Sequence, residues 1–377
     1  MIFLCQLKKK LQRRLIAPQL LPPVPQLKNF GNRLREARDA AFREAVSELE
    51  GRGFKQAKNH VWVGCISVRG CDQTLPLAIR LTDQFPDELP CIYVRPSSLK
   101  RRIPHVERIR KLCLAPASGV LVNSSNVPGI ISESIKRAEK ILEDGLLGAN
   151  APDLQREFLA YWNEGAARLF SICEATGQAR EIHQAVLRGG PKLLNGAPLV
   201  ADNQEALTQL ASQIDARLEV SSRDFFMPLD SAFDPPDFYD TITLRWLREK
   251  IARYTSAAAQ HAFEEWTART RLPLTVLLSL PLEESQGRAL IGVCIPSARG
   301  EARRKALHGF REGKLPASHE IGFILDQPIK KYKVDRLDSP YLLIRSGGEP
   351  ALRSKVVAVI GCGSIGSHVV GHLASLG

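Results

Sequence analysis

Arg110-Lys111-Leu112-Cys113-Leu114-Ala115-Pro116 sets a single cysteine between two leucines. A Pro104-His105 turn precedes it, and a loop rich in Gly, Asn and Ser follows, running from Ala115 to Gly129. A thiol attacks carbon only as its thiolate, so a nucleophilic cysteine needs access and positive charge nearby. Arg108, Arg110 and Lys111 supply that charge in the sequence. Cys113 is therefore a candidate nucleophile, and the competing reading makes it a small buried residue packed with its leucines. His105 is either a group that orients or deprotonates the thiol or a structural turn residue.

Downstream, Ile131, Ile135, Ala138, Ile141 and Leu142 recur at helical spacing up to Gly145. A further helix is expected from Pro152-Asp153, carrying Leu154, Phe158, Tyr161, Trp162, Leu169 and Phe170. Upstream, Leu34, Ala37, Ala41, Ala45 and Leu49 define one face of a helix over 31–50, ended by Gly51 and Gly53. Three strand-like runs follow, over 60–68, 75–81 and 91–94, with turn residues in each gap. An antiparallel meander is the natural arrangement. Helix, meander, loop and helices together predict an α+β layer over 30–165. Residues 1–29 are basic and then proline-rich, an extension with little core of its own.

Residues 166–345 are expected to form an α/β linker domain with no catalytic constellation. Helices are predicted over 205–218 and 241–270, and strands over 273–280, 290–295 and 319–325. A second landmark lies at 346–377. Lys355-Val356-Val357-Ala358-Val359-Ile360 has the continuous apolar character of a buried parallel strand. Gly361-Cys362-Gly363-Ser364-Ile365-Gly366 follows, and then a helix over 367–376. In a strand–turn–helix context this spacing allows a tight turn at Gly361, close phosphate approach at Gly363 and close packing at Gly366. The helix N-terminus offers N–H groups to an anion. Gly361, Gly363, Ser364, Ile365 and Gly366 are thus the expected nucleotide-binding residues. An acidic residue about 20 positions further on would mark a dinucleotide site. The sequence ends before it, so the chain is expected to be a fragment of a longer protein or the product of a gene cut short.

Composition narrows the rest. The 377 residues carry a net charge of +12, spread along the chain with few aromatics interleaved, so nucleic-acid binding is disfavoured. The eight cysteines show neither CxxC pairs nor regular spacing, which argues against a zinc ribbon and a disulfide framework. No metal site is expected from the cysteines, and Cys65, Cys71 and Cys91 fit buried strand positions. No apolar run approaches the ~20 residues of a membrane span, and no signal peptide stands at the start. A cytoplasmic protein is expected.

With these residues in view, the chain resembles a known pair of families. Val357 to Ser367 looks like the opening of ThiF-type, ubiquitin-activating-like adenylyltransferases, and Val334-Asp335-Arg336 through Gly348 resembles their lead-in. Residues from about 30 to 165 resemble a ubiquitin-conjugating domain: the first helix, the meander, Phe85-Pro86 with Leu89-Pro90, Pro104-His105, Leu112-Cys113-Leu114 and the next helix come in that order. Phe158-Leu159-Ala160-Tyr161-Trp162 matches bacterial members. The combination is similar to fused proteins of bacterial CBASS anti-phage operons.

The resemblance implies Cys113 as the thioester-forming residue. It also implies ATP with Mg at a Rossmann-like glycine turn, incomplete here. The implied partners are a protein with a C-terminal glycine (a cyclic-nucleotide synthase among the candidates) and an acceptor lysine or other amine; a homodimer is also implied. The family's His-Pro-Asn triplet is replaced by Pro104-His105-Val106, without the asparagine, and Asn123 and Asn126 are the nearby asparagines in sequence. The alternative is a conjugating-like module that binds without chemistry, or a remnant.

Overall fold

The computed structural model describes residues 26–71, 74–99, 101–115, 121–281, 287–311, 313–345, 358–361 and 363–375. The chain forms two compact units: residues 1–95 with 111–141, and 96–110 with 142–377.

In the first unit, helix α1 (Gln26–Gly51) leads into strands β1 (Lys55–Lys58), β2 (Val61–Ile66), β3 (Leu75–Arg80) and β4 (Cys91–Val94). They form one antiparallel sheet in sequence order, the expected meander with an extra edge strand, β1. Alternation on β2 sends Trp62 and Ile66 inward and Val63 and Cys65 outward. Phe42 of α1 packs against Trp62, and the Arg38 Nε–H donates to the Phe85 carbonyl. Ala41, Ala45 and Leu49 are buried, but Leu34 and Ala37 are exposed, because α1 begins well before the part that meets the sheet. The cysteine expectation is corrected in the same way. Cys65 is exposed and Cys71 and Cys91 are only half-buried, since their neighbours take the inward positions. The predicted helix after the loop is α2 (Val127–Leu147), which runs on past Gly145. The last residues of α2, from Leu142, belong to the second unit, where Gly145 is a close-packing position: a Cβ there would lie 2.8 Å from Ile103.

In the second unit, short helices α3 (Asp153–Arg156) and α4 (Phe158–Asn163) replace the single helix expected from Pro152. Leu169 and Phe170 belong instead to strand β5 (Ala167–Ser171). Then follow β6 (Arg180–Gly189), β7 (Pro198–Ala201), α5 (Gln204–Gln213), β8 (Ala216–Pro228), α6 (Leu244–Tyr254), α7 (Ala257–Arg269), β9 (Leu274–Pro281), β10 (Arg288–Ile295), α8 (Gly300–Leu307), α9 (Ala317–Ile321), β11 (Lys330–Arg336), α10 (Ser339–Arg345) and α11 (Ser364–Ser375). The seven strands close into a barrel in the order β10-β11-β5-β7-β6-β8-β9. Three of its pairs are parallel: β11 with β5, β5 with β7, and β8 with β9.

Period-two alternation sorts the barrel residues into separate apolar clusters. Leu169, Ile182, Val200, Phe226, Leu277, Leu290 and Tyr332 form one of them. Phe225, Met227, Val276, Leu278, Ile291 and Val293 belong to another, which also holds Leu247, Ile251 and Trp266 from α6 and α7. The helix expected over 241–270 divides at Thr255, whose hydroxyl donates to the Ile251 carbonyl, and Ser256 caps α7. The strand expected over 319–325 is a correction: Ala317–Ile321 is helical, started by Pro316.

At the C-terminal landmark, residues 355–357 lie outside the described residues. Ala358, Val359 and Ile360 belong to no strand and Ile360 is 99% exposed, so the buried strand expected there does not form over its described part. No described helix is long and apolar enough to cross a membrane.

Candidate active site

Cys113 lies in the first unit. Lys111 forms an antiparallel bridge with Tyr93, and the Leu112 N–H donates to the Ile92 carbonyl at 2.8 Å. This adds one rung to the free side of β4. Extended backbone alternates its side chains, so burial of Leu112 (2% exposed) turns the next residue outward. Cys113 is exposed, and its thiol donates weakly to the Ala115 carbonyl, Sγ···O 3.7 Å. The reading of Cys113 as a buried apolar residue is thereby excluded.

The asparagines beyond the cysteine stabilise the chain locally. Asn123 Oδ1 accepts from the Ser125 N–H. Asn126 Oδ1 accepts from the Gly129 N–H at 3.0 Å, capping α2. Gly129 leaves room for this: a Cβ there would lie 2.4 Å from the Asn126 side chain.

His105 lies in the second unit, with a left-handed backbone at φ +60. Its N–H donates to Tyr161 Oη at 2.8 Å. Its Nε2 lies 3.2 Å from Asp153 Oδ2 and its Nδ1 3.0 Å from Glu157 Oε1. The Tyr161 hydroxyl donates to the other Glu157 oxygen. The hydrogen bond with Glu157 raises the His105 pKa above its ordinary value against the opposing effect of burial, and Asp153 adds to the rise. Reciprocally, His105 holds the Glu157 carboxyl below the usual carboxylate range. Burial and Glu157 push the Tyr161 phenol up. The arrangement favours a charged imidazolium between two carboxylates. In that form the ring has no lone pair with which to take a proton, and it acts as a clamp.

Arg110, expected to favour a thiolate, is 3% exposed, with its guanidinium over the Phe238 ring at 3.3 Å from the centroid. The Arg108 N–H donates to Glu164 Oε1. Asp153 on α3, Glu157 between the two helices and Tyr161 on α4 complete this cluster, and their four-residue spacing is the sign of it in the sequence.

At the glycine turn, Gly361 has φ +93, and a Cβ on Gly366 would fall 1.8 Å from the Gly361 carbonyl oxygen. Only glycine fits at position 366. Gly363 faces open space, its carbonyl accepts from the Ser367 N–H, and α11 starts at Ser364 with Ile365 exposed. The strand expected to lead into the turn does not form among the described residues. Among those residues no group of three or more His, Cys, Asp or Glu side chains is placed to hold a metal ion.

None of the curated proteins matches the chain. Residues 44–170, from within α1 into β5, match the family model of prokaryotic E2 family B, and this stretch therefore carries a ubiquitin-conjugating-like domain.

Proposed function

We propose that the protein is a ubiquitin-like conjugation enzyme in which Cys113 carries an acyl group as a thioester. The observation that carries this reading is the exposed thiol one residue beyond the bridged Lys111-Leu112 segment, inside the stretch matched by the conjugating family. The Cys113 thiolate attacks the carbonyl of a donor thioester; the new C–S bond forms and the donor thiolate leaves. An acceptor amine then attacks the same carbonyl. The C–S bond breaks, an amide forms, the amine proton passes to solvent, and Cys113 returns as thiolate.

The glycine turn supports a companion activation step. ATP, when bound, supplies the adenylyl group that activates a C-terminal glycine carboxylate. The backbone N–H groups of Gly363, Ser364, Ile365 and Gly366 would hold its phosphates, with Mg as counter-ion. By resemblance to ThiF-type fusions, the wider setting is bacterial anti-phage defence in the cytoplasm. The donor is a protein ending in glycine, such as a cyclic-nucleotide synthase, and the enzyme works as a homodimer.

Incubation with a thioester-activated donor tests the transfer. A band sensitive to thiol reductant is expected for the wild type, a reductant-resistant ester for Cys113→Ser, and no adduct for Cys113→Ala. A donor bound equally by all three proteins, with no adduct in any, would establish the rival reading, a docking module without chemistry.

A further inference from the structure

A second site lies in the second unit. A cavity of about 380 Å³ is lined by Arg102, Arg108, Glu164, Lys330 and Lys331, with Thr241 at its wall. The acidic groups around it are already engaged. Glu164 accepts from the Arg108 N–H and from Arg102 Nη2, and Asp237 accepts from the Arg102 N–H. Asp240 accepts from the Asp237 N–H.

The cations are less well matched. Arg102 is 8% exposed and lies over the rings of Tyr161 and Phe238; its Nη1 has no hydrogen-bond partner among the described residues. Lys331 Nζ donates to the Trp162 and Glu164 carbonyls, yet burial and then the charges of Arg108 and Arg102 hold its pKa below the ordinary lysine value. The like charges of Arg108 and Arg102 add to the effect of burial, and Glu164 opposes them only in part. Gly165 makes room for Arg108: a Cβ there would lie 2.8 Å from Arg108 Nη1, and its φ of +68 is a glycine conformation.

We infer that this cavity is an anion site for a small phosphate-bearing molecule, held by Arg102, Arg108 and Lys331. Two of these residues come from the segment before Cys113 and one from β11, so their donors converge from different elements. Guanidinium forks and an ammonium together suit the three or four oxygens of a phosphate. The volume leaves room for the organic part of the molecule. The inference stands whether or not transfer through Cys113 does.

Titration calorimetry of the full chain with inorganic phosphate, and separately with acetate at matched ionic strength, tests it. Saturable phosphate binding is expected, at least about tenfold tighter than acetate. Lys331→Met and Arg108→Ala should each weaken it about tenfold or more. Arg108→Ala keeps its backbone bond to Glu164, so it remains informative if Lys331→Met fails to fold. Arg271→Ala, outside the cavity, should change nothing. Acetate binding as tightly as phosphate, or phosphate binding unchanged in Arg108→Ala, would overturn the inference.

Discussion

Leu112 and Cys113 divide one task between adjacent positions: the first anchors the rung beside β4, and the second stands in solvent because of it. His105 shows a different economy at the same scale, with every polar atom of its backbone N–H and ring directed at Asp153, Glu157 or Tyr161. The clamp has a definite pH dependence. With its folded pKa raised, His105 contributes fully below its ordinary value of 6.5 and loses that contribution as pH rises through the raised value. Glu157, held low, contributes above its ordinary 4.5 and loses the contribution as pH falls through its lowered value. The clamp is complete between those two ordinary values and weakens on the alkaline side. His105→Asn, a residue that tolerates the left-handed backbone, should lower the thermal midpoint at pH 6 and have much less effect at pH 9. An equal loss at both values would show that the imidazolium adds nothing.

Among the elements, α2 depends on its cap. Asn126→Ala removes the bond to the Gly129 N–H and should cost about 1 kcal/mol. Urea unfolding measures the loss, and amide exchange at Gly129 and Ile130 should speed up with it. How far the elements could be read from sequence depended on the neighbours each one has. The meander and α2 were legible because each has one wet face and one dry face, which keeps the period visible. Over 152–171 the apolar residues Phe158, Trp162, Leu169 and Phe170 follow a helical spacing, but Gly165 at φ +68 breaks the run and the last two join a strand. Strand β6 hides its period behind a register shift between Ala185 and Val186, and the helix expected over 205–218 ends at Gln213, so its last residues open β8 instead. Arg180, Glu181, His183, Gln184, Arg223 and Asp224 lie on them and break up the apolar alternation that marks a strand. Cys113 was legible from its flanking residues; its outward orientation was not, since that depends on Tyr93, distant in sequence.

For the molecule as a whole, the polar groups of the barrel matter as much as the apolar ones. Asp224 is 1% exposed on β8; it accepts from the Thr275 N–H at 2.8 Å and from the Ser222 hydroxyl. Burial pushes its pKa up from 3.8 to about 7. Because the folded barrel holds the proton more tightly than the unfolded chain, this group's contribution to stability is largest at low pH and falls as pH rises from 3.8 to about 7. Asp224→Asn removes the charge and keeps an oxygen for Thr275. It should stabilise the protein at pH 8, by no more than about 4 kcal/mol, and have little effect at pH 4. Denaturant midpoints at the two values measure it, and a loss of stability at pH 8 would mean that the ionised carboxylate is needed in the barrel.

The parallel pairing of β11 with β5 has a consequence for synthesis. Strands β1 to β4 meet partners close by in the chain, so a nascent polypeptide can finish that sheet early. Ala167 must wait for Tyr332, which lies opposite it in the closed barrel. Throughout that wait the apolar β9 segment, Leu274–Pro281, has no complete barrel to bury it. Translation of the final barrel strand is thus the moment at which the second unit passes from aggregation-prone to safe, and it is in this interval that chaperones have the most to do.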